Sequence, residues 1–157
     1  MRAGAQLLQV FESNAEHLGP HQFEVFALPY LTTIQREVRR KTAAEGLAEV
    51  PMTVFAKGGH YALASLGRSG YDTVGLDWTV DPALAREVVG PGVTLQGNMD
   101  PCALYAPKEE IDGIVAAMAK KFGSQRWIAN LGHGIYPDME PDHLAAFISA
   151  VHRHSAA

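Results

Sequence analysis

Five short runs of strand-forming residues, at 7–13, 52–56, 71–77, 93–97 and 126–130, alternate along this chain with amphipathic helical segments. This alternation constrains the fold more than any other feature. Neighbouring parallel strands need a crossover connection, and a helix is the usual one; antiparallel pairs close with a tight turn instead. The helical segments are read from apolar spacing and stop signals. Over 21–45, Phe23, Phe26, Leu28, Leu31, Ile34 and Val38 predict one amphipathic helix, bent at Pro29 and ended by Gly46. Tyr61, Leu63, Ala64 and Leu66 predict a short helix, and Asp81-Pro82 opens another with a capping acid and a first-turn proline. Ile111, Ile114, Val115, Met118 and Phe122 form the buried stripe of a helix over 108–122 that Gly123 caps, and 142–153 closes the chain as a helix.

Two architectures suit this pattern at 157 residues, a length for about one domain. A doubly wound sheet of about five strands would be complete, whereas a (β/α)8 barrel would be about half to two-thirds present. Both place their chemistry at the carboxyl ends of strands. Ser13, His60, Asp77, Asp100 and His133 all fall at or just past those ends.

Composition narrows the function classes. Lys and Arg number 13 against 17 Asp and Glu, a formal net charge of -4, and the only dense basic run is 36–41. Nucleic acid is therefore not an expected partner, since neutralising phosphates takes clustered cations. The single cysteine, Cys102, has no internal disulfide partner and fits a reducing, cytoplasmic compartment. No apolar stretch approaches the roughly 18 residues of a membrane helix, and the first residues lack a secretory leader's pattern, so a soluble protein without a membrane partner is expected.

Gly132-His133-Gly134 continues into Ile135-Tyr136-Pro137 and so lacks the third glycine of a dinucleotide loop. A Walker lysine motif and a Gly-x-Ser-x-Gly elbow are also missing from the sequence. His60, Asp77, Asp100 and His133 could converge as metal ligands from separate strand ends. The competing reading gives Asp77 and Asp100 to loop amides, and His60 to the cap of the helix after Gly59. His133 stands apart, because flanking glycines strip away bulk and let an imidazole stand in an open mouth. Phe11 and Ser13 are two apart on one strand and share a face, which suits the wall of a flat-ligand pocket or simply a strand end. His17, His21, His143, His152 and His154 read as solvated or helix-end residues.

Several stretches together carry a resemblance. They are Phe11-Glu12-Ser13, the segments 50–57 and 75–80, Gln96-Gly97-Asn98-Met99-Asp100-Pro101 within 95–105, and Asn130-Leu131-Gly132-His133-Gly134 within 130–139. In this order they resemble the carboxyl-terminal part of the uroporphyrinogen decarboxylase family. The resemblance implies that residues 1–157 are about five β/α units of a (β/α)8 barrel. It implies a homodimer that removes carbon dioxide from the four acetate arms of uroporphyrinogen III to give coproporphyrinogen III, without metal or organic cofactor. It places Ser13 and His133 against substrate carboxylates, and Phe11 against the macrocycle.

The family's Arg-Gln-Ala-Gly-Arg stretch, its pyrrole-binding aspartate and its catalytic tyrosine have no counterpart in these residues. The expectation is therefore a chain without decarboxylase activity of its own. The alternatives are a non-catalytic porphyrin-binding or partner-binding piece, and a metal-dependent barrel enzyme.

Overall fold

The computed structural model describes residues 1–155. Its centre is one five-stranded parallel sheet of β1 (Leu8–Glu12), β2 (Met52–Ala56), β3 (Thr73–Gly75), β4 (Thr94–Met99) and β5 (Trp127–Leu131). The strand order is β1-β2-β3-β4-β5. A doubly wound sheet reverses direction at a switch point, so its first strand lies inside; an order that never reverses is an arc of a (β/α)8 barrel. The structure thus decides between the two architectures.

Curvature is visible in one contact. Gln9 on β1 and Gln96 on β4 are three strand steps apart, about 14 Å on a flat sheet, yet Gln96 Nε2 donates to Gln9 Oε1 at 3.3 Å. The sheet therefore bends around a lumen.

Strand register separates its two faces. Val10, Val54, Val74, Leu95 and Trp127 are register partners and make the outward row, in which Val54, Val74 and Leu95 are wholly buried. One residue further along β1, the inward row is Phe11, Phe55, Gly75, Gln96 and Ile128. One period-two alternation thus assigns an apolar face to the helices and a mixed face to the lumen.

The outer layer consists of α1 (Pro20–Phe26), α2 (Leu28–Ala44), α3 (Leu63–Gly67), α4 (Pro82–Val89), α5 (Lys108–Phe122) and α6 (Pro141–Ser155). Short 3-10 turns at Ala15–His17, His60–Ala62 and Pro101–Tyr105 follow β1, β2 and β4. The single helix expected over 21–45 is two. The break lies at Ala27 (φ -117°, ψ -56°), because Pro29 cannot donate back to Val25 and its ring disfavours helical backbone before it. The break also splits the expected stripe: Phe23 and Leu31 are buried, while Phe26 and Ile34 face outward. The strand expected over 71–77 shortens to three residues. At its start Asp72 turns its carboxylate to the Met52 amide (2.7 Å) and to Arg39 (2.9 Å).

The cap before α4 is as expected: Asp81 accepts from the amides of Ala83 and Leu84. Lys121 on α5 also bonds this carboxylate at 2.9 Å and, with the cap amides, holds its pKa below the ordinary aspartate value. Among the described residues no helix is long and apolar enough to cross a membrane.

Two tests follow from this packing. Ile111 is wholly buried and Ile114 is 38% exposed on the same helix. Ile111→Ala is expected to cost about 2–5 kcal/mol in urea unfolding, and Ile114→Ala under about 1 kcal/mol; equal costs would contradict the helix orientation. Asp81→Ala is expected to lower the thermal midpoint at neutral pH. Because the folded-state pKa is depressed, that stabilisation is full above the unfolded aspartate pKa of about 3.9 and is lost as pH falls through the folded value. The variant and parent midpoints should therefore converge in acid.

Candidate active site

A cavity of about 420 Å³ opens at the carboxyl ends of the strands, and Phe11, Ser13, Phe55, Gln96 and His133 are among its lining residues. Phe11 ends its strand face 65% exposed and meets Phe55 edge to face, with centroids 6.2 Å apart at 70°. The corner these rings make depends on Gly75, where a Cβ would lie 2.9 Å from Phe55 Cδ2. Ser13 stands just beyond β1, on the face it shares with Phe11. The pocket wall is thus aromatic on β1 and β2, with the Ser13 hydroxyl at the rim.

His133 enters from the opposite edge of the sheet, in the loop after β5. Its ring is exposed and lies edge to face with Trp78, centroids 6.2 Å apart at 86°. The two flanking glycines do different work. The Gly132 amide donates to the Met99 carbonyl at 2.7 Å, and a Cβ there would fall 2.4 Å from the Trp78 nitrogen. Gly134 has no heavy atom within 4 Å of the corresponding point. The close approach therefore belongs to Gly132 alone, and what it approaches is a neighbouring backbone.

Asp77 braces the mouth. Its carboxylate is 3% exposed and accepts from the amides of Gly58 (2.7 Å) and Thr79 (2.9 Å) and from the Thr79 hydroxyl. Asn98 Nδ2 donates to the Asp77 and Val80 carbonyls at 2.8 and 2.7 Å. Asp100 accepts from the Cys102 amide at 2.9 Å and caps the turn that follows. Both aspartates thus perform the loop-bonding role. His60 opens its 3-10 turn and packs edgewise on Tyr61, away from the cavity lining. Among the described residues no group of three or more His, Cys, Asp or Glu is placed to hold a metal ion. No three of the four candidates for a metal centre are therefore grouped as ligands.

Among the remaining histidines, His143 Nδ1 lies 2.6 Å from the Leu104 carbonyl, and His154 pairs with Asp112. Sequence reasoning missed Phe55, Gln9, Gln96 and Asn130 as pocket residues. The signal for Gln9 was present, since it shares the two-residue step of Phe11 and Ser13, but Phe55 and Gln96 require the curvature. A larger recess of about 570 Å³ lies between α5 and the loop after β3. Its Asn98 and its Asp81–Lys121 pair are already bonded to the protein, so it offers little unspent polarity for a ligand.

The family model of uroporphyrinogen decarboxylase matches residues 1–154. The chain belongs to that family. The Homo sapiens uroporphyrinogen decarboxylase is 60% identical over 153 residues, which are 98% of this chain and 42% of that protein. The Danio rerio relative is 57% identical over 155 residues, 99% of this chain and 42% of its own length. The Salinibacter ruber relative is 49% identical over 153 residues, with the same 42% share of its length. The chain thus spans about two-fifths of the curated relatives it matches. A methyltransferase from Methanosarcina mazei aligns with 99% of this chain and 44% of its own, with a TM-score of 0.80 and 17% identity, a likeness of fold. The family membership and the unreversed strand order agree on part of a barrel.

The glycine asymmetry is testable. Gly132→Ala is expected to destabilise the chain by about 1–3 kcal/mol in chemical unfolding, and Gly134→Ala by no more than about 0.5 kcal/mol. Equal effects would remove the Trp78 contact as the reason for Gly132.

Proposed function

We propose that residues 1–157 supply the carboxyl-terminal part of a uroporphyrinogen decarboxylase site, in which Ser13 and His133 bind substrate carboxylates and Phe11 lines the macrocycle. The observation that carries this reading is convergence. Ser13 follows the first strand and His133 the last, and both border one cavity with an aromatic corner between them.

The chemistry gives each side chain a task. Protonation of a pyrrole ring lets it accept the electron pair of the carbon–carboxylate bond. Carbon dioxide then departs, the exocyclic carbon takes a proton to become methyl, and the ring returns its added proton. The substrate is its own electron sink, so the protein must orient a flat macrocycle and pair its carboxylates. The Ser13 hydroxyl donates to one carboxylate, the His133 imidazole donates to another and offsets its charge, and Phe11 with Phe55 forms the flat wall. Supply of the proton falls to groups beyond these residues.

Titration of the purified chain with uroporphyrin, followed by porphyrin absorbance and thermal shift, tests the reading. Binding is expected, weakened about three- to tenfold by Ser13→Ala and by His133→Ala. Coproporphyrinogen formation by the chain alone is not expected. Failure of the parent chain to bind, or binding by both variants as tight as the parent's, would overturn the assignment. The family's homodimer and a cytoplasmic setting complete the proposal. Exposed Phe26 and Tyr30 on α1 and α2 offer apolar surface for a second copy, and sedimentation velocity would detect it.

A further inference from the structure

Two carboxamides meet inside the pocket, and neither caps a helix nor braces a loop. Gln9 lies two residues before Phe11 on β1, so it sits one layer deeper on the same inward face. Gln96 stands in the row of Phe11 and Phe55, on β4, and is 7% exposed. Barrel interiors are dominated by branched apolar side chains, and an amide placed there gives up water and needs partners. Among the described residues the side chains of Gln9 and Gln96 bond only each other, Gln96 Nε2 to Gln9 Oε1 at 3.3 Å. That bond consumes one amide oxygen and one N–H. The Gln9 amino group, the second N–H of Gln96 and the Gln96 oxygen remain, all on residues that line the cavity. Thr53, the register partner of Gln9, is wholly buried with a hydroxyl that has no partner, so this layer of the lumen is polar beyond the two amides.

We propose that Gln9 is a third polar contact of the pocket, donating its free amide N–H to a carboxylate of the bound macrocycle, with Gln96 as the positioning residue that orients it. This rests on the porphyrinogen reading of the cavity. A carboxamide suits the task. It donates without carrying charge, so burying it beneath an aromatic corner avoids the desolvation that a lysine or arginine would incur. The bond to Gln96 directs the Gln9 oxygen away from the ligand, so the face left for a carboxylate is the donor face. Ser13 and His133 act at the rim; Gln9 acts from the layer below.

The full chain, titrated with uroporphyrin as the stable oxidised octa-acid, tests the assignment through four proteins: parent, Gln9→Leu, Gln9→Glu and Gln96→Leu. Gln9→Leu is expected to weaken binding about five- to tenfold, and Gln96→Leu about two- to threefold, because the donor survives but loses its orientation. Gln9→Glu sets a carboxylate against a carboxylate. Its affinity relative to parent at the same pH should rise as pH falls from about 7.5 to about 5, as the new side chain begins to protonate and donate. A loss of packing alone would give no such profile. Circular dichroism establishes that each variant is folded, and Gln9→Glu decides the matter if Gln9→Leu is not. Parent binding with unchanged affinity in both Gln9 variants would overturn this inference and leave the Ser13 and His133 reading standing. Absence of parent binding would overturn both.

Discussion

The Asp77 carboxylate is the interaction on which the mouth of the sheet depends. A carboxylate this deeply buried is tolerated only when donors replace its lost water. Here they come from two different loops: Gly58 after β2, and the backbone and side chain of Thr79 after β3. Asn98 at the end of β4 then grips the Asp77 and Val80 carbonyls. Three successive strand exits are thereby held as one rigid edge. Trp78, between these anchored residues, has little freedom, and its backbone is the surface against which Gly132 packs. The position of His133 thus descends from a carboxylate that does not line the cavity.

Much of this architecture was legible because it is written in short-range terms. The Met52–Ala56 strand, the Asp81 cap and the Lys108–Phe122 helix each follow from local pattern: a continuous apolar run, an acid before a first-turn proline, and an apolar stripe ended by glycine. The break at Ala27 was misplaced by two residues because proline acts backwards along the chain, on the residue before it and on the carbonyl four back. The choice between barrel and open sheet lay beyond local pattern altogether. Both architectures use the same alternation, and only the spatial order of the strands separates them.

The site shows the same division. Phe11 and Ser13 share a face by simple alternation, and His133 was marked by its glycines. Phe55 and Gln96 entered only with register and curvature, since membership of the pocket depends on which strands the bend brings together. The Gly-His-Gly motif marked a histidine that lines the cavity, but the glycines act differently from the reading that marked it. Its first glycine answers to a neighbouring backbone, and its second faces open space. Family resemblance supplied what the geometry of these residues could not, the substrate class proposed for an aromatic corner edged by a hydroxyl and an imidazole.

The chain has two tryptophans, and they sit in very different surroundings. Trp127 stacks on Phe122 at 5.0 Å and donates its indole N–H to the Gly97 carbonyl, inside the helix-facing layer. Trp78 is part-exposed, edge to face with His133. Indole emission follows the polarity of its surroundings, so Trp78 supplies the redder, solvent-sensitive component of this protein's fluorescence from a position beside His133. The bluer component from Trp127 serves as an internal standard. The mouth of the barrel arc carries its own optical gauge, with no label attached.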